Sequence, residues 1–161
     1  LIFITLGSQK FQFNRLLEAV DKLIEEGFIK EKVYAQIGYS TYIPKNYSYS
    51  PFLNREDFIK YMGNCDILIT HGGTGAIITG LKSDKKVIAV PRLSEFGEHV
   101  DDHQLEIVSL FEKNNYLISI VNILSLGAAI EQIHSKKFRK YYSNTSNVVS
   151  SIRKYIEEIG V

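Results

Sequence analysis

Apolar positions along this chain alternate between two rhythms. Residues 1–6 form a continuous run that is apolar but for Thr5, the pattern of a strand buried on both faces. Further strands are predicted over 32–37, 50–53 (short), 66–70, 86–90 and 116–119. Between them the period lengthens to that of a helix. Residues 12–26 place Leu16, Leu17, Val20, Leu23 and Ile24 on one stripe, with Gly27 as the stop. Residues 55–63 turn Phe58, Ile59 and Met62 inward, and helices follow over 74–82, 101–113, 123–134 and 147–159. The last carries Val148, Val149, Ile152, Tyr155, Ile156 and Ile159 at helical spacing. Strands and helices joined in turn by short loops predict an α/β fold, a parallel sheet with helices on both faces.

Length and composition narrow this picture. The 161 residues fit one domain over 1–161, and 45% apolar content supplies a core. A net charge of +1 removes any strong bulk attraction to nucleic acid, so none is expected as a partner. The single cysteine, Cys65, forms no internal disulfide and fits a reducing compartment, with packing rather than chemistry as its role. No apolar run reaches the ~18 residues of a membrane span. With no signal peptide before Leu1, a cytoplasmic protein is expected.

The most telling local feature is His71-Gly72-Gly73-Thr74-Gly75, between the 66–70 strand and the next helix. Glycines let the backbone come within hydrogen-bonding reach of a ligand, and the first N–H groups of the helix point at it. Such a helix start suits a phosphate or diphosphate. The plainer alternative is a strand-to-helix turn with His71 as a structural cap. Gly7-Ser8 and Pro91-Arg92 also fall at carboxyl ends of predicted strands, where open α/β sheets bind ligands. The irregular stretch 38–49, with Tyr39, Tyr42, Tyr47 and Tyr49, reads as a surface loop or as a lining of that cleft.

A second cluster is Gly97-Glu98-His99-Val100-Asp101-Asp102-His103-Gln104. His99 and His103, four apart, share a helix face with acids nearby, a spacing that can ligate a metal. No third ligand has a fixed spacing, so a metal is not expected. Asp101 and Asp102 also suit a helix N-terminus through the dipole. Glu98 and His99 are the candidates for a general base, by proximity alone.

Taken in order, Thr5-Leu6-Gly7-Ser8-Gln9, Phe52-Leu53, the 71–75 turn and the 97–104 stretch after Val90-Pro91 resemble the C-terminal, nucleotide-sugar-binding half of family 28 glycosyltransferases. The resemblance implies a Rossmann-like sheet forming one half of a GT-B enzyme. It is similar to short stand-alone transferase subunits of bacterial capsule and exopolysaccharide synthesis. It is similar also to the catalytic subunit of the two-component transferase that adds N-acetylglucosamine to a dolichol-linked sugar.

The same resemblance implies site roles. The residue matching Leu53 holds uracil through its backbone. Gly7 and Ser8 and the helix start at Gly72, Gly73, Thr74 and Gly75 face the diphosphate, and His71 belongs to the UDP-binding set. Asp101, His103 and Gln104 approach the donor sugar. Thr79 stands where many members carry a glutamate on the ribose; one uncharged hydroxyl cannot accept two bonds from a diol as a carboxylate does.

Implied too are a UDP-hexose donor, an inverting outcome, and no cofactor or metal. Backbone N–H groups at the start of the 74–82 helix would stabilise departing UDP, with Arg92 as helper or plain loop residue. A GT-B enzyme has two halves. A membrane-associated partner binding a lipid-linked sugar acceptor is therefore expected, holding this chain at the inner face of the plasma membrane.

The alternative is a non-catalytic nucleotide-sugar-binding or enhancer subunit; an epimerase of this architecture needs both halves in one chain. A domain that docks a partner exposes an apolar patch and can form a homodimer without it. The basic stretch 134–142, with Lys136, Lys137, Arg139 and Lys140 beside Phe138, Tyr141 and Tyr142, reads as a solvated loop or as a contact to an anionic membrane or anchoring partner.

Overall fold

The computed structural model describes residues 1–142; the helix expected over 147–159 lies outside them. Six strands, β1 (Ile2–Thr5), β2 (Val33–Gln36), β3 (Ser48–Ser50), β4 (Ile67–His71), β5 (Lys86–Val90) and β6 (Ile118–Ser119), form one sheet. Their order is β3-β2-β1-β4-β5-β6 and every pairing is parallel. Among the described residues five helices, α1 (Asn14–Glu25), α2 (Arg55–Asn64), α3 (Thr74–Lys82), α4 (His103–Lys113) and α5 (Leu126–Ile133), cover both faces. The expected α/β class and Rossmann-like sheet are what the chain adopts.

The strand period of two divides the core. Ile2, Ile4, Ile67, Ile69, Ile88 and Val90 pack with Leu16, Leu17 and Val20 of α1 and with Ile130 and Ile133 of α5. Phe3, Leu68, Val87 and Ala89 face the other way, onto Met62 of α2, Ile77 and Leu81 of α3, and Val108 and Phe111 of α4. Gly80 brings α3 close, since a Cβ there would fall 2.5 Å from Leu68 Cδ2. Gly27 stops α1 at φ +79°, with the Phe28 N–H returning to the Leu23 carbonyl at 2.9 Å.

Several expected boundaries move. The third strand is 48–50 rather than 50–53, because Pro51 has no N–H to continue the ladder. Ile59 is 58% exposed rather than inward, while Phe58, Tyr61 and Met62 take the inner stripe of α2. The 101–113 helix begins at His103, and the strand expected over 116–119 pairs only at Ile118–Ser119. The helix expected over 123–134 opens with a 3₁₀ turn, Ile123–Ser125, before α5.

The 38–47 loop is pinned to α1. Buried Asp21 accepts hydrogen bonds from the Tyr42 hydroxyl (2.7 Å) and the N–H groups of Lys45 and Asn46 (2.8 Å each). That bond to Asp21, then burial, pushes the Tyr42 phenol up to about 12. The basic stretch crosses the amino edge of the sheet. Lys86 Nζ donates to the carbonyls of Ile133 and His134, the Arg139 N–H reaches the Asn115 carbonyl, and Tyr141 joins the core of the α2–α4 face. No helix among the described residues is long and apolar enough to cross a membrane.

Candidate functional site

Strands β1 and β4 are neighbours, but β1 leads into α1 on one face and β4 into α3 on the other. The chains diverge there, and in open α/β sheets the ligand crevice lies outside the carboxyl ends of the strands at such a point. Gly7 follows β1 with φ +73°, and His71 ends β4. The His71 ring lies between two glycines: a Cβ on Gly7 would fall 2.7 Å from Nε2, and one on Gly73 only 2.1 Å from Cε1. Gly72 makes room for α4 in the same way, with Gln104 Cβ and Val108 Cγ2 at 2.7 and 2.9 Å from its missing methyl.

Gln104, 5% exposed, reaches back under this turn from α4. Its Oε1 accepts the N–H groups of Gly72 and Arg92, both at 3.0 Å. Two backbone donors must face an oxygen, so the orientation of the amide is assigned from them. Nε2 therefore faces Nδ1 of His71 at 3.2 Å. The Gly73 N–H donates to the same Nδ1 at 3.1 Å. With Nδ1 an acceptor, the neutral ring carries its proton on Nε2, on the side of the Gly7 turn.

Burial drives the His71 imidazole down to about 3, and the Arg92 cation pushes the same way. A histidine buried neutral must charge in acid, so its contribution is present above about pH 6.5 and lost as pH falls towards 3. Between pH 6 and 5, stability should fall by up to about 1.4 kcal/mol per pH unit from this residue. Urea midpoints should show that slope, and His71→Gln should flatten it.

Helix α3 begins at this turn with Gly73 as its N-cap and no side chain capping it. The N–H groups of Thr74, Gly75 and Ala76 thus open the helix without a capping partner, on the crevice side of the turn. Thr79 is exposed on the next turn, and its hydroxyl donates to the Gly75 carbonyl at 2.8 Å.

The rim is held by buried charge. Arg92, 1% exposed, donates to the carbonyls of Leu6 (2.6 Å), Phe11 (3.1 Å), Gln12 (3.2 Å) and Glu98 (3.1 Å), and lies over the Phe13 ring. It clamps the β1–α1 loop to the β5–α4 loop, so its guanidinium faces carbonyls and not a ligand. Burial lowers it to about 10, leaving it charged at neutral pH.

Glu98, a candidate base, is 0% exposed. Its oxygens take a two-pronged ion pair from Arg15 Nε and Nη2 at 3.0 Å each, and the Leu93 N–H at 3.1 Å. A base must reach the proton it removes, and this carboxylate is sealed into the scaffold. Arg15 gave no local signal in the sequence: its partner lies 83 positions away.

His99 stacks on Phe11 with 5.7 Å between centroids. Its Nδ1 lies 3.1 Å from Asp101 Oδ1, which also accepts the His103 N–H; Asp101 Oδ2 lies 3.6 Å from His103 Nε2. Asp102 is the N-cap of α4 and accepts the Ser94 N–H at 2.8 Å, a bond that holds its carboxyl below the usual range. Among the described residues no three His, Cys, Asp or Glu side chains converge as a metal site.

Ser8 is exposed after the Gly7 turn, and Leu53 is half-buried in the β3–α2 connection. Exposed Phe52 meets Tyr39 edge-on at 5.2 Å. Of the expected site residues, the structure gathers Gly7, His71, Gly72, Gly73 and Gln104 around one imidazole. It places Asp101 and His103 at the α4 start, and Gln104 against the N–H groups of Gly72 and Arg92.

The chain matches the glycosyltransferase family 28 C-terminal domain over residues 1–159. It is 31% identical over 104 residues to the UDP-N-acetylglucosamine transferase subunit ALG13 of Candida albicans. That match covers 65% of this chain and 32% of the relative, so the chain spans about a third of the curated relative's length. Among solved structures it is similar to the NMR solution structure of ALG13, with a TM-score of 0.59 at 20% identity over 99% of this chain and 96% of that one. It is similar also to the glycotransferase of kitacinnamycin, with a TM-score of 0.60 at 19% identity over 99% of this chain and 39% of that one.

Proposed function

Because the chain belongs to glycosyltransferase family 28, as its C-terminal domain, we propose that it is the donor-binding subunit of a two-part transferase that moves a hexose from a UDP-sugar to a lipid-linked acceptor. One observation carries the reading: at the β1–β4 divergence, an uncapped helix start and the Nε2–H edge of a neutral histidine meet at glycines. Those groups are donors without a positive charge to titrate, suited to the oxygens of a diphosphate. As the glycosidic bond breaks, negative charge grows on the departing UDP. Fixed N–H dipoles at Thr74 and Gly75, with His71, stabilise it without reorganising.

The acceptor side of the reaction belongs to a second protein. Glu98 is sealed, which leaves His99, paired with Asp101, of the two candidate bases, so activation of the acceptor hydroxyl falls to the partner or to that pair. The relative is named as a transferase subunit, which supports a partner here. In this reading the partner is membrane-associated and carries the lipid-linked acceptor, the chain stays on the cytoplasmic side, the product is a capsular or exopolysaccharide, and inversion needs no metal. A non-catalytic enhancer subunit would keep donor binding but leave turnover to its partner.

The test is a thermal-shift panel of UDP, GDP, ADP and TDP with their sugars, followed by transfer assays with and without the partner. Selective stabilisation by UDP and a UDP-hexose is expected, growing with ligand concentration over its dissociation constant. Thr79→Glu, which restores a carboxylate on the exposed face of α3, should tighten UDP by about tenfold through charge-assisted bonds to the ribose. No uridine selectivity in either protein sinks the assignment.

A further inference from the structure

The geometry points to Gln104 as a positioning residue: it sets which nitrogen of His71 carries the proton, making the imidazole a fixed donor to the diphosphate. This rests on the reading of the crevice as a UDP-sugar site. The chain of constraint starts at the backbone. The N–H groups of Gly72 and Arg92 converge on Oε1 at 3.0 Å each, so the amide cannot turn over without setting its NH₂ against two N–H groups. Held that way, Nε2 stands 3.2 Å from His71 Nδ1, beside the Gly73 N–H at 3.1 Å.

A proton on Nδ1 would face two donors and leave the Nε2 lone pair aimed at an anion. A proton on Nε2 satisfies every group at once. An oxygen in place of the Gln104 nitrogen would favour the charged ring, whereas a nitrogen donates and favours the neutral one.

Gln104 is 5% exposed, with its carbonyl doubly occupied and an N–H turned to His71. It also ties three segments together, the β4–α3 turn, the end of β5 and the start of α4. The orientation of His71 therefore depends on all three being in place.

The experiment uses the full chain labelled with ¹⁵N-histidine, whose four histidines give separable ring signals; His71 is identified by its loss in His71→Gln. Long-range N–H spectra of the wild-type chain should show a neutral His71 ring protonated on Nε2. Gln104→Glu keeps an oxygen for Gly72 and Arg92 but sets an acceptor opposite Nδ1. In that variant the neutral His71 ring should carry its proton on Nδ1. At pH 8, UDP and UDP-sugar should weaken together, by about tenfold.

An Nδ1–H ring in the wild-type chain overturns the proposal with no variant needed. So does an unchanged Nε2–H ring in folded Gln104→Glu. Loss of UDP-sugar affinity with UDP spared overturns it as well, since a donor to the diphosphate serves both ligands alike. Should the wild-type chain bind no uridine nucleotide while the ring signatures change as described, the donor reading falls and the positioning role stands.

Discussion

Gly73→Ala should weaken UDP binding by on the order of 100-fold, about 2.7 kcal/mol. The reason is space and not backbone freedom, because Gly73 has an ordinary φ of −74°. Its new methyl would stand 2.1 Å from Cε1 of His71 and within 2.9 Å of both ring nitrogens. The ring has no retreat on the other side, where Gly7 lies against Nε2. It must swing out, which removes the Nε2–H donor and breaks the Gly73 and Gln104 contacts on Nδ1.

Isothermal titration with UDP reads the effect, and circular dichroism verifies that the variant folds; overpacking of this kind costs about 1–3 kcal/mol of stability. Gly75→Ala is the matched control. Nothing lies within 4 Å of its Cβ, so the protein alone tolerates it, and a loss of affinity there reports a ligand against the helix start. If Gly73→Ala binds UDP within threefold of the parent, the imidazole is not part of the donor site.

The second large effect is on stability. Arg15→Ala should destabilise the chain by about 3–5 kcal/mol, because it strands the fully buried Glu98 carboxylate without its partner. For a chain of this size that is a fall in Tm of about 10–15 °C. The pair is more than a local tie. Arg15 also donates to the carbonyls of Pro91 and Val121 and lies over the Phe96 ring, joining α1 to the β5–α4 loop and the end of β6. Replacing both partners with methionine should recover most of the loss, since no charge is then left buried. Differential scanning calorimetry of the single and double variants decides it; a fall of less than about 3 °C for Arg15→Ala would show that the pair contributes little.

How much of this could be read from the chain follows the range of the contacts involved. Strands β1, β4 and β5 and helices α1 and α3 were legible because each is a local period, and the edges of a central strand leave few alternatives. The ends of the sheet were not. β3 and β6 pair over three and two residues, too short for a period to register, and Pro51 decided where β3 stops.

In the site, the 71–75 turn stood out because its glycines are consecutive. What the residues do there depended on Gln104, 32 positions on, and its amide could only be oriented once two distant N–H groups were known to meet it. Glu98 looked available beside His99, and only a guanidinium from α1 seals it. Arg92 reads from the sequence as a helper at the phosphate or a plain loop residue, and four carbonyls occupy it. A short motif marks a location well; the direction in which its side chains face is written elsewhere in the chain.

The buried thiol of Cys65 has a practical use. It is the sole cysteine, it bonds to the Met62 carbonyl, and burial pushes its ionisation up, away from the reactive thiolate. Native protein should therefore stay unlabelled by maleimide dyes at neutral pH. A single introduced thiol, Thr79→Cys, would then carry a fluorophore on the exposed face of α3, where emission changes from one defined point test for the proposed nucleotide and partner.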